Sequence, residues 1–281
     1  MIGVEGLSLP ADTAGVVVPA AGQRLLVTLW AVDLWVCNLG LVDYREALAL
    51  QERVRAARID GRVPDVLLML EHPAVYTRGR RSGADELSLP ESWYHAQGIE
   101  IVDVDRGGKI TYHGPGQLVG YPIVGVDDVV GHVRTLERAL VAALAQEGIA
   151  ARDRAEEGIA FTGVWVGDRK IASIGVHVSR AVTTHGFALN VVNDLAPFGW
   201  VVACGLPDVT MTSVAAELGA AGTGGPAEVD GCRAPAGLVS CVRKRVAFAL
   251  AQELGVRQRL VTRERLERAV AADTPALSGV S

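Results

Sequence analysis

A glycine-rich stretch from Arg106 to Pro122 constrains the fold of this chain more than any other segment. It reads RGGKITYHGPGQLVGYP and contains five glycines, at positions 107, 108, 114, 116 and 120. Glycine weakens helices and strands because it loses backbone entropy without a side chain to pack. A glycine-rich hairpin would explain the glycines alone. The side chains between them instead favour a binding site: Arg106, Lys109, Thr111, Tyr112, His113 and Gln117.

Length and charge limit the classes of protein to which this chain can belong. Its 281 residues, of which 49% are hydrophobic, can bury a sizeable core in one large domain or two small ones. The net charge of -5 argues against a nucleic-acid-binding protein, which usually has a basic surplus. No signal peptide is evident, and the apolar segment 25–41 is short and contains Asp33. We therefore predict a cytoplasmic protein that binds neither membranes nor nucleic acids.

The cysteines suggest a nucleophile rather than a structural site. The spacing of Cys37, Cys204, Cys232 and Cys241 matches no zinc pattern, and a chain of this size needs no disulfide framework. We expect Cys37 to pack in the core and Cys232 and Cys241 to be inert. A free cysteine is most often a small buried hydrophobe, but Cys204 precedes Gly205 and a proline in a loop, where side chains are exposed. Cys204 is therefore the candidate nucleophile.

Hydrophobic periodicity predicts strands and helices without strict βαβ alternation. Apolar runs predict strands at 35–39, 66–71, 99–104, 121–126 and 187–191, and a hairpin of 163–166 with 170–178. Helical periodicity predicts helices at 44–58, 132–147, 212–218, 238–254 and 262–270, and a loop at 77–83. The pattern favours an α/β or α+β fold with a mixed β-sheet flanked by helices.

Local signals define the ends and buried faces of two predicted helices. Asp43 is the predicted N-cap of the first helix, and Gly148 is the predicted C-cap of the second. The predicted core positions of the first helix are Ala47, Leu48, Leu50, Val54 and Ala57, and those of the second are Leu136, Leu140, Ala143 and Leu144.

Composition also divides the chain. Residues 1–23 are rich in Gly, Ala, Val and Pro and are predicted to be a disordered leader. Residues 24–270 are predicted to form a single domain, interrupted by a flexible Gly-, Ala- and Pro-rich insertion at 219–237 and followed by a tail at 271–281.

Two further segments mix polar groups with small residues. Lys170 opens the run KIASIG, which would suit the close approach of a ligand, although a lysine at an exposed turn is the common alternative. The run THGFALN at 184–190 is similar. We interpret His185 as a hydrogen-bonded loop histidine and give His113 a supporting role.

Together these segments resemble the lipoyl/octanoyl transferases, also called lipoate-protein ligase B. The resemblance covers about residues 35–255, in the order of the family's motifs. The leader and the 219–237 insertion fall outside it. The segments that carry it are LGLVDY (39–44), EHPAVYT (71–77), the glycine-rich stretch, KIASIG (170–175), THGFALN (184–190), ACGL (203–206) and VTMTS (209–213).

The resemblance implies an activity, a site and a fold. The family moves an octanoyl group from octanoyl-acyl carrier protein to a lysine of a lipoyl domain, in 2-oxoacid dehydrogenase complexes or glycine cleavage H protein, without a cofactor or metal. Cys204 would be the nucleophile and Lys170 its partner, in a catalytic domain with the fold of biotin/lipoate ligases, related to class II aminoacyl-tRNA synthetases. The implied substrate pocket is formed by Arg106, Gly107, Gly108, Lys109, Ile110, Thr111, Tyr112, His113, Ser173, Ile174, Gly175, Gly186, Phe187 and Ala188.

The chemistry of thiols and thioesters supports the acyltransferase interpretation, and it indicates how alternative functions would differ. A neighbouring ammonium favours the thiolate of a cysteine, and a thioester donor makes ATP unnecessary. The main alternative is an ATP-dependent lipoate or biotin ligase, which would not need Cys204. A non-catalytic acyl-carrying module and a zinc-bound regulator are weaker alternatives. We also expect an arginine patch at the pocket mouth to bind the acidic carrier protein, including Arg78, Arg80 and Arg81.

Overall fold

A computed structural model describes residues 33–83, 86–202, 209–220 and 235–271. The predicted leader, Cys204, Cys232, residues 221–234 of the predicted insertion and residues 272–281 of the tail lie outside the described residues. The predicted domain boundaries therefore stay predictions.

The described strands form two sheets. The strands are β1 (Asp33–Leu41), β2 (Asp65–Glu71), β3 (Val75–Arg78), β4 (Glu100–Asp103), β5 (Thr111–His113), β6 (Gln117–Ile123), β7 (Gly163–Val166), β8 (Arg169–Ser179), β9 (Val182–Asn190) and β10 (Arg257–Val261). The main sheet has the order β10-β1-β2-β6-β9-β8-β7, and the small sheet has the order β4-β3-β5. In the main sheet β10, β1 and β2 are parallel and the other pairs are antiparallel, which confirms the predicted mixed sheet.

Helices cover both faces of the main sheet. They are α1 (Tyr44–Ile59), α2 (Glu91–Ala96), α3 (Val129–Ala145), α4 (Val214–Ala220), α5 (Pro235–Glu253) and α6 (Arg263–Ala271). Successive side chains of a strand point to opposite faces of its sheet. On β2, Leu67 and Met69 belong to the core formed with α3 and α5, whereas Leu68 and Leu70 belong to the core formed with α1 and α6. The sheet is therefore buried on both sides, which explains the continuous apolar run of β2.

The small sheet has a core separate from those of the main sheet. Aromatic side chains form its core, with Tyr76 on β3 packed edge-on against Tyr94 of α2 and close to Tyr112 of β5. The glycine-rich stretch joins the two sheets, because Gly107 N–H donates to the carbonyl of Val176 on β8 at 2.9 Å. Its C-terminal half continues directly from β5 into β6.

Most predicted elements are confirmed, and the exceptions have physical causes. Asp43 caps α1 by accepting from Arg45 N–H and Glu46 N–H, as predicted, but Leu48 is only partly buried. Gly148 follows α3 with a φ of +81°, two residues after the C-cap residue Gln146. Thr77 and Arg78 belong to β3, not to a loop, because β3 pairs with both β4 and β5.

Some elements differ from the sequence expectation. Strand β10 and helix α2 were not predicted: β10 is exposed along most of its length, and α2 has only six residues. Helix α5 begins at Pro235, so the predicted insertion is helical at its C-terminal end. Among the described residues, no helix is both long and apolar enough to cross a bilayer.

Candidate active site

A cavity of about 180 Å³ lies where the glycine-rich stretch meets β8 and β9. The apolar part of its wall is formed by Ile174, Phe187 and Ala188. The side chain of Lys170 reaches the cavity from the start of β8. Its lining is formed by Tyr44, Arg81, Arg106, Gly108, Lys109, Thr111, His113, Tyr121, Ile159, Ala160, Thr162, Lys170, Ser173, Ile174, Gly175, His185, Gly186, Phe187 and Ala188.

Lys170 is a buried cation with an aromatic neighbour. Its side chain is 2% exposed, and its Nζ lies 5.3 Å from the centroid of the Trp165 ring. Within the described residues no carboxylate forms an ion pair with it. Burying an ammonium without a counter-ion is costly, so lysines in such places are uncommon outside functional sites. The alternative of a lysine at an exposed turn is wrong.

The space for the Lys170 side chain depends on Gly163. A Cβ at Gly163 would lie 2.8 Å from Lys170 Cε, and Gly163 has a φ of +134°. The fully buried carboxylate of Glu137 on α3 accepts the Gly163 N–H at 2.9 Å, and it is held in turn by Arg134. Glu137 therefore fixes the glycine that makes room for Lys170.

The chain that follows Cys204 is tied to the backbone of Lys170. The described chain stops at Val202 and resumes at Val209. Lys170 N–H donates to the carbonyl of Thr210, and Thr212 N–H donates to the carbonyl of Lys170, both at 2.9 Å. The segment that leaves the Cys204 loop thus runs beside the first residues of β8.

The glycines mainly allow the walls of the cavity to approach one another. A Cβ at Gly120 would clash with the Phe187 ring, and one at Gly186 would clash with the carbonyl of Gly120. A Cβ at Gly175 would lie 2.7 Å from the carbonyl of Gly107. The expectation that the backbone closely approaches another group is confirmed. At these three glycines, however, that group belongs to a neighbouring segment of the protein and not to a ligand.

A buried polar network connects the cavity with the segment after Cys204. Arg106 Nη2 donates to the carbonyl and the hydroxyl oxygen of Thr77, at 2.6 and 2.8 Å. His113 Nδ1–H donates to Gln117 Oε1 at 2.8 Å, and Gln117 Nε2 donates to Asn190 Oδ1 at 3.0 Å. Asn190 Nδ2 then donates to the carbonyl of Thr212 at 3.0 Å. His113 is therefore a buried link in this network, in agreement with a supporting role.

Two buried tyrosines form another part of the wall. His72 donates from Nδ1 to the carbonyl of Val42, so its Nε2 accepts from the Tyr121 hydroxyl at 2.7 Å. Burial raises the pKa of Tyr44 to about 12 and raises that of Tyr121 well above its usual value. Both phenols therefore remain protonated at neutral pH.

His185 has an unusual environment for a strand residue. Its Nε2 lies 2.8 Å from Asp105 Oδ1, and His177 Nε2 lies 3.3 Å from the other oxygen of Asp105. The hydrogen bond from His185 lowers the pKa of Asp105 to about 2. Burial lowers the pKa of His185, so the ring is neutral and Nε2 carries the proton that Asp105 accepts. The backbone of His185 is left-handed, with a φ of +57°.

The structure brings most of the predicted pocket residues together around the cavity. Gly107, Ile110 and Tyr112 do not line it: Gly107 pairs with β8, and the other two pack in the core of the small sheet. Tyr44, Tyr121 and His185 line the cavity but were not predicted to do so. Tyr44 and Tyr121 resemble ordinary core aromatics in sequence. The motif THGFALN could have indicated His185, since a polar residue precedes a glycine there.

The predicted arginine patch is only partly available at the cavity. Arg81 lines the cavity and Arg80 beside it is exposed. Arg78 instead lies on β3, where it pairs with Asp103 at 2.7 Å and with Glu91 at 2.5 Å. Of the three predicted arginines, Arg80 and Arg81 are therefore exposed near the cavity, whereas Arg78 is engaged in ion pairs.

The described cysteines are not nucleophiles. Cys37 is a free thiol in the core, as predicted, and burial raises its pKa to about 11. Cys241 on α5 is disulfide-bonded, contrary to the expectation that the chain contains no disulfide. Within the described part of the chain, no three His, Cys, Asp or Glu side chains are grouped so that they could hold a metal ion.

Comparison with known sequences identifies the family. The model of the Lipoyl protein ligase A/B catalytic domain matches residues 43–228. The octanoyltransferase of Mycobacterium tuberculosis (strain ATCC 25618 / H37Rv) is 50% identical over 197 residues, which are 68% of this chain and 80% of that protein. The octanoyltransferase of Mycolicibacterium gilvum (strain PYR-GCK) is 46% identical over 227 residues, which are 78% of this chain and 89% of that protein.

Solved structures share the fold at low sequence identity. A lipoate-protein ligase A bound with ATP has a TM-score of 0.67 and 19% identity, and the match covers 85% of this chain and 92% of that one. Ta0514, a putative lipoate protein ligase from T. acidophilum with bound lipoic acid, has a TM-score of 0.64 and 19% identity, with 85% and 93% covered. These likenesses confirm the predicted lipoate-ligase-like fold and nothing more. Because the family model spans most of the chain and the relatives are about half identical, the chain belongs to the lipoyl/octanoyl transferase family and is an acyltransferase.

Proposed function

We propose that this acyltransferase moves an octanoyl group from octanoyl-acyl carrier protein to a specific lysine of lipoyl domains. The acceptors would be the lipoyl domains of 2-oxoacid dehydrogenase complexes and the glycine cleavage H protein. In this proposal Cys204 holds the acyl group as a thioester and Lys170 is its partner. The octanoyltransferase relatives support octanoyl transfer in protein lipoylation.

The buried Lys170 is the observation that carries the proposal. It lines the cavity, is 2% exposed and has no carboxylate partner among the described residues. A cysteine thiolate would supply the missing negative charge. The backbone pairing of Lys170 with Thr210 and Thr212 supports this, because Cys204 lies only six residues before Thr210 in the chain.

In the first half-reaction the Cys204 thiolate attacks the carbonyl carbon of the donor thioester. The bond to the carrier sulfur breaks, and the carrier thiolate takes a proton from the Lys170 ammonium. One thioester replaces another, so the step needs no ATP. The apolar wall formed by Ile174, Phe187 and Ala188 would hold the acyl chain out of water.

In the second half-reaction the neutral amine of the acceptor lysine attacks the thioester on Cys204. The new C–N bond forms, the bond to Cys204 sulfur breaks, and the now neutral Lys170 takes the proton that the amine loses. The thiolate and the ammonium are thereby restored. Because an amide is far more stable than a thioester, this step runs in one direction.

Intact-mass measurement tests the acyl-enzyme directly. The protein is mixed with octanoyl-acyl carrier protein in the absence of ATP, as wild type, Cys204→Ala and Cys37→Ala. We expect one octanoyl adduct, released by hydroxylamine, on the wild type and on Cys37→Ala but none on Cys204→Ala. Cys37→Ala is the matched control because it removes a buried thiol of the core.

Two outcomes would overturn the proposal. An adduct that persists in Cys204→Ala would place the acyl group on another residue. No adduct on the wild type, with modified lipoyl domain formed only when ATP is added, would establish the ATP-dependent ligase activity instead.

The isolated acyl-enzyme tests the second half-reaction. Adding a lipoyl domain to it should transfer the octanoyl group to that domain without further donor, and a domain with its acceptor lysine changed to arginine should receive none. Hydrolysis of the acyl-enzyme without transfer would contradict the proposed acceptor. The cytoplasmic location stays a prediction from the sequence.

A further inference from the structure

The mouth of the cavity has an apolar rim on one side. Among the described residues that line the cavity, three are exposed: Arg81, Ile159 and Ala160. Arg81 is charged, so its exposure needs no explanation. Ile159 has a large apolar side chain that is 69% exposed although it belongs to the cavity wall. A residue that both lines a cavity and faces solvent lies at the mouth, so Ile159 and Ala160 form this rim.

Ile159 lies at the end of the cavity where Lys170 is found. The 3₁₀ turn Ile159–Phe161 is followed by Thr162, which also lines the cavity, and then by Gly163. The Thr162 hydroxyl donates to the carbonyl of Ile159 at 2.8 Å, so these two residues are neighbours in space. Gly163 in turn packs against Lys170, because a Cβ there would lie 2.8 Å from Lys170 Cε. An acyl group whose carbonyl lies near Lys170 would therefore have Ile159 beside its carbonyl end.

The turn that carries Ile159 is fixed to Trp165, the aromatic neighbour of Lys170. Trp165 Nε1–H donates to the carbonyl of Phe161 at 2.9 Å. The Arg154 guanidinium lies 4.4 Å from the centroid of the Phe161 ring and 4.7 Å from that of the Trp165 ring. These contacts hold Ile159 at the mouth before a substrate binds. An apolar ligand can therefore pack against Ile159 without the entropic cost of ordering the turn.

We propose that Ile159 packs on the carbonyl end of the bound acyl chain and limits the access of water to the acyl thioester. This inference rests on the proposed acyl transfer and deepens it. Burying the exposed Ile159 side chain against the first methylene groups of the chain is favourable, because both surfaces are apolar. Attack of water on the thioester carbon would break the bond to the Cys204 sulfur and release octanoic acid. A covered thioester persists until the acceptor lysine arrives.

Binding of free fatty acids tests this contact independently of acyl transfer. Hexanoic and octanoic acid are titrated into the full-length protein by calorimetry, for the wild type, Ile159→Leu and Ile159→Ser. Ile159→Ser should bind both acids about fivefold more weakly, the expected loss for burial of about half of an isoleucine side chain. The factor should be the same for both acids, because they share the carbonyl end beside Ile159. Ile159→Leu keeps an apolar side chain of similar volume and should bind both acids like the wild type.

The lifetime of the acyl-enzyme tests the exclusion of water. The octanoyl-enzyme is separated from the donor and incubated without acceptor, and the loss of the adduct is followed by intact mass. In this inference water reaches the thioester while Ile159 is not packed on the chain, and a fivefold weaker contact makes that state about five times more populated. Hydrolysis should therefore be about fivefold faster in Ile159→Ser than in the wild type and unchanged in Ile159→Leu.

Leu260→Ser is the matched control. Leu260 is 77% exposed on β10 and does not line the cavity. The change likewise replaces an exposed branched side chain with serine, so it should alter neither the affinity for octanoic acid nor the rate of hydrolysis. Single exposed apolar residues are common on protein surfaces and need no function. If Ile159→Ser behaves like Leu260→Ser in both measurements, the inference is rejected.

The two measurements together distinguish this inference from the proposed function. If no acyl-enzyme forms on the wild type but Ile159→Ser binds both acids about fivefold more weakly, the proposed function fails and the contact of Ile159 with the chain stands. If all variants form the acyl-enzyme with equal affinities and equal hydrolysis, the inference is rejected and the proposed function stands. A loss confined to octanoic acid would place Ile159 at the methyl end of the chain. A change confined to KM for the lipoyl domain would make it a contact of the acceptor protein, and either result rejects the inference.

Discussion

The side-chain amide of Asn190 donates a hydrogen bond of 3.0 Å to the carbonyl of Thr212. Asn190 ends β9, the strand that contributes Phe187 and Ala188 to the cavity wall, whereas Thr212 belongs to the segment that follows Cys204 and pairs with Lys170. Thr212 is also held by its own hydroxyl, which donates to Glu217 Oε1 at 2.5 Å. This hydrogen bond fixes the segment that follows Cys204 relative to the end of β9, so it should affect the positions of both proposed catalytic groups.

Asn190→Asp tests this positioning with a change of one atom. The new carboxylate cannot donate to the Thr212 carbonyl, and the loss of one buried hydrogen bond costs about 1–3 kcal/mol. We expect about half of this cost to appear as a higher activation free energy, so kcat/KM for octanoyl transfer should fall about two- to tenfold. Stopped-flow or quenched measurements of acyl-enzyme formation would check this.

Asn38→Asp is the control for that change. It makes the same substitution at an exposed residue of β1, outside the cavity. Its rate should equal that of the wild type. Asn190→Asp with a wild-type rate and a lower unfolding midpoint would show that the hydrogen bond serves stability alone.

Gly163→Ala should displace Lys170. A methyl group at this position would meet Lys170 Cε at 2.8 Å and clash with the carbonyl of Ala172. A misplacement of a catalytic group by about 1 Å can lower a rate about a hundredfold, and we expect a loss of that size in acyl-enzyme formation. Mass spectrometry after timed mixing with the octanoyl donor would measure it.

Gly167→Ala is the matched control, because Gly167 also has a positive φ, of +57°, but an added methyl group there would meet no atom within 4 Å. It lies in the turn between β7 and β8. It should lose about 1 kcal/mol of stability and keep the wild-type rate. Equal rates for the two variants would refute the role assigned to Gly163.

Most helices and strands could be predicted from the sequence because the hydrophobic periodicity of each segment agrees with the face that the fold buries. Helix α3 has a clear apolar stripe, and its predicted core residues Leu136, Leu140, Ala143 and Leu144 are all buried. The turn at Gly167 and Asp168 joined two strands as expected. By contrast, Arg257–Val261 is mostly exposed at the sheet edge, so it lacks the apolar alternation that identifies a strand.

Parts of the site depend on contacts that no local pattern records. Asp105 lies 80 residues from His185 in sequence, and Gln51 lies 134 residues from it, yet both hydrogen-bond to it. The interpretation of His185 as a loop histidine was wrong, since it lies within β9. The partnership of Lys170 with Cys204 was inferred from the family resemblance, and it remains a proposal.

Arg81→Glu tests the expected docking of the carrier protein. Arg81 is exposed at the cavity, and an acidic carrier would be attracted to it and repelled by the variant. We expect Kd for octanoyl-acyl carrier protein to rise about fivefold at low salt, with a smaller effect at high salt. Arg268→Glu on α6 makes the same charge change at another exposed position and should leave Kd unchanged. Equal Kd values for the two variants would reject docking at Arg81.

Buried neutral histidines should make the fold sensitive to acid. Burial lowers the pKa of His72 to about 4 and that of His132 to about 4, from 6.5 for an ordinary histidine. Between pH 6.5 and pH 4 these histidines bind protons in the unfolded chain but not in the folded protein. The free energy of unfolding therefore falls as the pH drops through this range. The contribution is fully present above pH 6.5 and is lost progressively as the pH falls towards 4. Complete protonation of one of these histidines in the unfolded chain, while it stays neutral in the folded protein, lowers the unfolding free energy by about 3 kcal/mol.

His132→Leu separates this effect from other acid-sensitive groups. His132 lies on α3 and does not line the cavity, so its removal should flatten the pH dependence of the unfolding free energy without altering the acyl site. Urea unfolding at several pH values from 7.5 down to 4.5 would measure the slope for both proteins. Asp105 does not contribute in this range, because its pKa changes from 3.8 to about 2 and its stabilisation is lost only below that window. Identical slopes for wild type and His132→Leu would show that His132 is protonated equally easily in the folded and unfolded chains.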